Sequence, residues 1–283
     1  MIKALVQLLK FRLSFLVAFS SAIGYGLGTT HPTALNIALV MLAGLLVTGS
    51  ANTINQIIEI DRDRLMKRTA KRPLPEGRIG VRGAVVFAAV TGVVGLAILA
   101  VRFNTTAAAL SLASLILYAF IYTPLKPVTP LCVAVGAVPG GMPPMIGYVA
   151  AQASGVIGAE AWVLFGIQFL WQFPHFWAIA WVLDEEYKAA GFRMLPLDGA
   201  KDVRTAFQIM IYTLVLLPVS LLPLMLHISG STYAMIAVVC GTLFLAQTFY
   251  LMLTCTKKAA MNIMFGSFLY LPIVQIALVF DKM

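Results

Sequence analysis

Long apolar stretches alternate with short polar segments along the whole chain. An α-helix needs about 20 apolar residues to cross a bilayer, and the stretches have this length, so the pattern predicts nine membrane-spanning helices. Glycine, proline or charged residues separate one stretch from the next. The predicted spans are residues 11–29, 34–57, 82–101, 105–122, 131–151, 161–183, 205–226, 231–254 and 260–280.

The composition is typical of a chain whose main solvent is lipid. Of its 283 residues, 60% are hydrophobic and only 11% are charged, and the mean hydropathy is +0.92. Soluble domains average about 25% charged residues, which excludes an ordinary water-soluble globule. Little chain remains outside the spans, so we expect an all-α membrane protein with about nine transmembrane helices in one bundle, forming a single domain over residues 1–283.

The basic residues predict the orientation of the bundle. With the N-terminus in the cytoplasm, all of the 20 Lys and Arg residues except Arg102 and Lys282 fall on the cytoplasmic side. Because basic segments stay on that side, we expect a bacterial cytoplasmic (inner) membrane protein whose C-terminus lies on the outer side. The net charge is +9, and the basic residues lie beside apolar segments, which favours contact with the lipid bilayer and not with nucleic acid.

A first polar motif follows the second predicted span. If the helix continues, Asn55, Glu59 and Asp63 are spaced by four residues and share one face. Carboxylate and amide oxygens are the ligands of hard divalent cations, and the basic residues that follow could hold phosphate oxygens. A solvated loop in which the acids pair with neighbouring arginines is the alternative. Polar Asn52 and Gln56 at lipid depth favour a functional site.

A second polar motif follows the sixth predicted span and contains Asp184, Glu186 and Lys188. Asp184 and Lys188 are spaced for an ion pair on one turn of helix, so a structural surface turn is an alternative to a site. His175, one turn after Gln172, lies at membrane depth, where an imidazole needs a partner or a cavity. The chain therefore offers either a satisfied core histidine or a ligand or proton carrier.

The fifth predicted span is rich in glycine and proline between residues 136 and 147. Such a composition indicates a broken or closely packed helix, which a membrane tolerates where the helix lines a cavity. Close packing without any ligand is the alternative interpretation.

Taken together, the chain resembles the intramembrane prenyltransferases of the UbiA superfamily and, within it, the protoheme IX farnesyltransferases, or heme O synthases. The acidic motif is shared across the superfamily, whereas the Trp-Gln-x-Pro-His-Phe and Thr-Pro-Leu-Lys segments are similar to the heme branch. Glu59 and Glu186 stand where the family usually has Asp. The resemblance is carried by Asn55, Glu59, Asp63, Arg64, Met66, Arg68 and Thr69, by residues 122–130, 136–147, 171–180 and 187–196, and by Thr205, Gln208 and Tyr212.

The resemblance implies a UbiA-like bundle with active-site loops on the cytoplasmic face. It implies transfer of the farnesyl group of farnesyl diphosphate to a vinyl group of heme b, with Mg²⁺ as cofactor and a heme A synthase as a partner that receives the product. The implied catalytic residues are Asn55, Glu59, Asp63, Glu186 and His175. The implied metal ligands are Asn55, Glu59, Asp63, Asp184 and Glu186. The implied diphosphate ligands are Arg64, Arg68, Lys126 and Lys188, and the implied heme or prenyl contacts are Trp171, Gln172, His175, Tyr122 and Tyr187.

Two other functions remain open from the sequence. The same diphosphate site would serve a prenyltransferase that acts on an aromatic quinone precursor. A proton-coupled transporter could use the acids and His175 as a relay, but it would place ionisable groups near the membrane midplane. Most ionisable groups here lie at one interface, which favours the enzyme.

Overall fold

The computed structural model describes residues 2–283, and within them helices account for nearly all the regular structure. Met1, with which the predicted domain begins, lies outside the described residues. In the described part of the chain nine helical segments are long and apolar enough to cross a membrane, which confirms the predicted number. Their bounds are Phe11–Gly28, Ala34–Ile58, Val81–Arg102, Thr105–Leu125, Cys132–Ala151, Ala159–Val182, Val203–Met225, Ser231–Thr254 and Lys257–Phe280.

The nine spans, the short helices between them and one π-helical segment make up the helical structure of residues 2–283. In chain order the helices are α1 (Ile2–Leu8), α2 (Phe11–Gly28), α3 (Ala34–Ile58), α4 (Ile60–Leu65), α5 (Val81–Arg102), α6 (Thr105–Ile116), α7 (Thr123–Leu125), α8 (Cys132–Ala151), α9 (Ala159–Val182), α10 (Asp184–Ala189), α11 (Val203–Val219), α12 (Leu222–Met225), α13 (Ser231–Thr254) and α14 (Lys257–Phe280). A π-helical segment, Leu117–Tyr122, joins α6 to α7.

The spans pack into a closed bundle. Helix α2 packs on α3 and α8, α3 on α5, α8 on α9, and α9 on α11 and α14. Helix α13 fills the space beside α11 and α14, and α14 returns to α2. Because the first and last spans meet, the bundle encloses the side chains that face its interior.

Helix α8 is continuous, although Pro139, Pro143 and Pro144 lie inside it. Most of its residues are buried, so it is the most enclosed of the spans. At Gly147 a β-carbon would overlap the backbone carbonyl of Ser21 in α2, and at Gly24 it would overlap that of Pro144. The glycines therefore permit close packing of α2 on α8. Of the two predicted states, broken or closely packed, the helix adopts the closely packed one.

The π-helical segment ends directly before Thr123 and Pro124. Pro124 has no N–H, so the carbonyl four residues earlier cannot receive a helical hydrogen bond from it. The backbone N–H of Thr123 bonds to the carbonyl of Tyr118, five residues back, and the Thr123 hydroxyl donates to the same carbonyl at 2.9 Å. Wide turns of this kind are frequent at functional sites, and this one directs Thr123 toward α3.

Candidate active site

The first acidic motif lies at the junction of α3 and α4. The helix bends at Glu59 (φ −98°, ψ 11°), yet the backbone N–H of Glu59 bonds to the carbonyl of Asn55 at 3.0 Å, and that of Asp63 bonds to the carbonyl of Glu59 at 2.8 Å. The spacing of four residues is thus preserved across the bend. All three side chains are buried, and Asp63 is fully inaccessible.

Each of these three side chains is next to a basic residue. Nη1 of Arg72 donates to both carboxylate oxygens of Asp63, at 2.9 and 2.7 Å. Nζ of Lys126 lies 2.8 Å from Oε1 of Glu59, although no donor meets that oxygen with hydrogen-bond geometry. Buried charges need opposite charges nearby, and here each of the two acids lies beside a base.

Lys10 completes this group from the other end of the sequence. Its Nζ donates to Oδ1 of Asn55 at 3.2 Å, while Nδ2 of Asn55 donates to the hydroxyl of Thr123 at 3.1 Å. Lys10 lies between α1 and α2 with φ at +47°, a backbone conformation that is uncommon for residues other than glycine. Burial, reinforced by the charges of Arg72 and Lys126, holds the pKa of Lys10 well below its usual value.

We call Lys10, Asn55, Glu59, Asp63, Arg72 and Lys126 the polar cluster. Sequence reasoning predicted Asn55, Glu59, Asp63 and Lys126 as site residues. It placed Arg72 only in a general basic run and did not single out Lys10. A lysine directly before a span, at the same end of the bundle as the acids, is the signal that could have identified Lys10.

The second loop, residues 183–202, covers the first loop, residues 59–80. Oε2 of Glu186 accepts a hydrogen bond from the backbone N–H of Arg68 at 3.3 Å. Nη1 of Arg62 donates to the carbonyl of Ala190 at 2.7 Å, and the backbone N–H of Arg193 donates to the carbonyl of Lys126 at 2.7 Å. The two acidic motifs, far apart in sequence, are therefore neighbours at one end of the bundle.

The structure does not gather the predicted metal ligands into one group. Among residues 2–283, no three His, Cys, Asp or Glu side chains lie close enough together to hold a metal ion. Asn55, Glu59 and Asp63 belong to the polar cluster, whereas Asp184 pairs with Lys188 at 2.9 Å and with Lys201 at 3.3 Å. Glu186 contacts the first loop. The cause is that each acid is paired with its own base or backbone donor.

The predicted diphosphate ligands also do not form one group. Lys126 is buried in the polar cluster. Arg64 pairs with Asp61 at the surface, at 2.8 Å, and Lys188 forms the predicted turn pair with Asp184. The Arg68 side chain is exposed. Arg64 and Lys188 thus lie outside the cluster because nearer acids hold them, and partly buried Lys10 and Arg72 accompany Lys126 inside it.

A cavity of about 400 Å³ lies in the bundle, partly open to the outside and lined mainly by α2, α3, α6, α8, α9 and α14. Its wall is predominantly apolar, with a few polar side chains, as in typical ligand pockets. The predicted residues Trp171, Gln172 and His175 line it. Tyr122 and Tyr187 do not belong to the lining, since the Tyr122 ring lies 4.7 Å from Nζ of Lys126 and the Tyr187 ring packs near Phe192.

His175 is held firmly at the cavity wall. Its ring stacks on Trp171 with centroids 4.4 Å apart and packs nearly perpendicular to the ring of Phe268 with centroids 5.0 Å apart. Its Nδ1 lies 2.8 Å from the hydroxyl of Ser267 in α14. His175 is therefore both a hydrogen-bonded buried histidine and a residue that faces a cavity, so both sequence interpretations apply in part.

The cavity meets the polar cluster at α3. Asn52, one turn before Asn55, lines the cavity, as does Tyr118. The Tyr118 hydroxyl donates to Oδ1 of Asn52 at 3.4 Å, and Tyr118 lies one turn from Thr123, the partner of Asn55. A molecule with a charged head and a long apolar tail could therefore place the head at the cluster and the tail in the cavity.

Comparison with known proteins agrees with this geometry. Residues 17–271 match the UbiA prenyltransferase family. The chain belongs to this family. Among UbiA relatives, the protoheme IX farnesyltransferase of Cytophaga hutchinsonii is 56% identical over 99% of this chain and 98% of its own length. The enzyme of the same name from Christiangramia forsetii is 44% identical, over 98% of this chain and 92% of its own.

Solved UbiA structures share the fold. A structure of digeranylgeranylglyceryl phosphate synthase has a TM-score of 0.81 at 21% identity, with 99% of this chain and 98% of that chain covered. A UbiA homologue from Archaeoglobus fulgidus bound to GPP and Mg²⁺ has a TM-score of 0.66 at 17% identity, covering 98% of this chain and 99% of that chain. These likenesses confirm the predicted UbiA-like bundle.

Proposed function

We propose that this protein transfers the farnesyl group of farnesyl diphosphate to a vinyl group of heme b and so makes heme O. The observation that carries prenyl transfer is the junction of a buried charged cluster with an apolar cavity. The choice of heme as acceptor is supported by the near full-length relatives, which are named protoheme IX farnesyltransferase. The transporter alternative lacks such support.

The polar cluster would bind the diphosphate. Lys10, Arg72 and Lys126 bring three basic side chains around the buried acids. A bound diphosphate would favour the charged form of Lys10, whose pKa is lowered by burial and by the neighbouring cations. Positive charge fixed in a site of low dielectric stabilises the charge that develops on a departing diphosphate. Arg68, Arg64 and Lys188 at the rim would guide the substrate, since they are exposed and positively charged.

The donor chemistry of the cluster suits magnesium. Asn55, Glu59 and Asp63 present amide and carboxylate oxygens, the ligands that Mg²⁺ prefers, and Oε1 of Glu59 is buried without a hydrogen-bond donor. Asp184 and Glu186 pair elsewhere in the structure and would contribute only after exchanging their present partners. The magnesium found with GPP in the A. fulgidus homologue supports this assignment. When bound, the metal would neutralise charge on the diphosphate.

The cavity would hold the farnesyl chain beside the heme vinyl group. The allylic carbon–oxygen bond breaks, and its electron pair leaves with the diphosphate. The vinyl π electrons then form the new carbon–carbon bond. Trp171 and the other apolar side chains of the wall keep bulk water from the allylic cation, which would otherwise be hydrolysed.

Topology and product transfer remain proposals. The clustered basic loops support a cytoplasmic active-site face in a bacterial inner membrane, with the N-terminus inside and the C-terminus outside. We also propose that the whole chain is a single domain. Because the farnesyl chain makes heme O more hydrophobic than heme b, we propose that a heme A synthase receives it directly.

Acceptor choice tests the proposed function. Purified protein in lipid vesicles receives Mg²⁺, farnesyl diphosphate and equal amounts of heme b and 4-hydroxybenzoate, and mass spectrometry identifies the products. We expect heme b that has gained a farnesyl group and a hydroxyl group, with release of diphosphate. Farnesylated 4-hydroxybenzoate as the main product would favour the quinone-precursor alternative. The absence of both products would refute prenyl transfer to either acceptor.

Replacement of Lys10 by methionine should raise the KM for farnesyl diphosphate about tenfold or more, because a charged hydrogen bond contributes about 1.5–3 kcal/mol. Steady-state kinetics with heme b in excess measure this change. Lys3→Met is the matched control, since Lys3 is exposed in the neighbouring helix α1 and should leave the KM unchanged. Equal KM values for the two variants would exclude Lys10 from the diphosphate site.

A further inference from the structure

The hydrogen bonds of Ser267 fix the protonation pattern of His175. The Ser267 hydroxyl donates its single proton to the carbonyl of Met264 at 2.6 Å. It therefore has no proton to offer to Nδ1 of His175, which lies 2.8 Å away. The contact can be a hydrogen bond only if Nδ1 carries the proton and Ser267 accepts it. In a neutral imidazole, Nε2 is then unprotonated.

The orientation of the ring makes this lone pair available. Nδ1 is directed at Ser267, and one face of the ring is covered by Trp171. His175 nevertheless lines the cavity, so the edge that carries Nε2 is the edge left for a ligand. Trp171 is itself fixed, because its Nε1 donates to the backbone carbonyl of Ser267 at 3.0 Å.

Polar groups nearby on the same wall are suited to hold water. Gln168 and Gln172 both donate to the carbonyl of Gly140, at 2.7 and 3.1 Å, and Gln275 donates to Gln168 at 2.8 Å. Each amide nitrogen has a second hydrogen that these bonds do not use. A buried water needs two to four such partners, and a largely apolar cavity offers few other places for it.

We propose that Ser267 is a positioning residue that keeps His175 in the Nδ1–H form, so that Nε2 accepts the proton of the water added to the heme vinyl group. This role rests on the proposed function, because heme O carries a hydroxyl group that comes from water. The geometry favours a proton acceptor over an iron ligand, since the groups beside His175 can hold the water it would deprotonate.

The step balances without any oxidant or reductant. After the farnesyl carbon bonds to the terminal vinyl carbon, positive charge remains on the vinyl carbon next to the pyrrole ring. The oxygen of a water molecule forms a bond to that carbon, and one of its protons moves to Nε2 of His175. The imidazolium then loses this proton to solvent, which restores the resting form.

Nitrogen NMR tests the tautomer directly and independently of the enzymatic activity. The chain contains only three histidines, so ¹⁵N-histidine labelling gives few ring signals, and His175→Gln identifies those of His175. We expect a protonated Nδ1 and an unprotonated Nε2 in the unmodified protein. Ser267→Ala should shift the ring toward the Nε2–H form, and Ser267→Thr, which keeps the hydroxyl, should not. A protonated Nε2 in the neutral unmodified protein would overturn the proposal.

Product analysis tests the catalytic consequence. For Ser267→Ala we expect a kcat about 10- to 100-fold lower, as for an impaired general base, with an unchanged KM for farnesyl diphosphate. A larger share of product lacking the added water should appear, and Ser267→Thr should restore the normal product. Unchanged kcat and products in Ser267→Ala would refute the positioning role.

Two further outcomes separate the possible failures. If the unmodified protein makes no farnesylated heme while NMR shows the expected tautomer, the proposed function fails but the assignment of the hydrogen bonds stands. If bound ferric heme shows the spectrum of a nitrogen-ligated iron that is lost in His175→Gln, Nε2 is an iron ligand. The role as proton acceptor is then wrong.

Discussion

Replacement of Asp63 by asparagine should lower kcat for farnesyl transfer by about 10²–10³-fold, the range observed when one electrostatic contact to a developing charge is removed. Asp63 is fully buried and pairs with Arg72 through both oxygens. Asparagine has nearly the same shape but no charge, so it removes the negative charge of a proposed metal ligand without emptying space. Initial rates with farnesyl diphosphate, Mg²⁺ and heme b measure the effect.

The same short helix offers a matched control. Asp61 lies two residues before Asp63, but its side chain is 90% exposed and it pairs with Arg64 at the surface. Exposed pairs contribute about 0–1 kcal/mol, so Asp61→Asn should keep nearly full activity. If both variants lose activity equally, or if Asp63→Asn stays active, the polar cluster is not the site of diphosphate departure.

Replacement of Gly24 by alanine should destabilise the bundle by more than about 3 kcal/mol, beyond the range usual for overpacking, because the obstacle is backbone. The added methyl would overlap the carbonyl of Pro144, so α2 and α8 must separate. We expect little folded protein after detergent extraction, measured by size-exclusion chromatography and thermal unfolding.

Gly26→Ala is the control for this substitution, since Gly26 is in the same helix and a β-carbon there meets nothing within 4 Å. Alanine is favoured over glycine in a helix by up to about 1 kcal/mol, so this variant should be as stable as the unmodified protein or slightly more stable. Equal stability of Gly24→Ala and Gly26→Ala would contradict the close packing of α2 on α8.

The spans were predictable because the bilayer leaves few alternatives. A chain segment in lipid must satisfy its own backbone hydrogen bonds, so apolar length alone identifies a helix. Each predicted end differs from the structure by no more than three residues. Whether α8 is broken or continuous could not be predicted in this way, because its prolines and glycines suit both a broken helix and close packing on α2.

The sequence predicted the types of residue in the candidate site, but not which of these residues contact each other. The spacing of Asn55, Glu59 and Asp63 predicted that they share one face, and in the structure all three belong to the polar cluster. The pairing of Asn55 with Lys10 joins residues 45 positions apart, and no local pattern encodes it. The sequence does not distinguish Arg72 from the other bases of its run, because only the conformation of the first loop brings it to Asp63.

The same limit applies to the cavity. Tyr122 was a predicted contact for heme or the prenyl chain, yet Tyr118, one turn earlier, lines the cavity, whereas Tyr122 packs over Lys126. Ser267 gave no signal in the sequence, since its role depends on where α14 meets α9. Depth along a helix and contacts between distant helices are properties of the packed bundle.

Photolabelling with a farnesyl diphosphate analogue that carries a diazirine at the tail end tests most directly whether the cluster and the cavity form one substrate site. With Mg²⁺ present, we expect the label on peptides from the cavity wall in α6 and α9, near Ser111 and Gln168. Excess farnesyl diphosphate should prevent this labelling, and Asp63→Asn should weaken it. Labelling confined to the lipid-facing surface, unaffected by competitor and by Asp63→Asn, would contradict a head group at the cluster with its tail in the cavity.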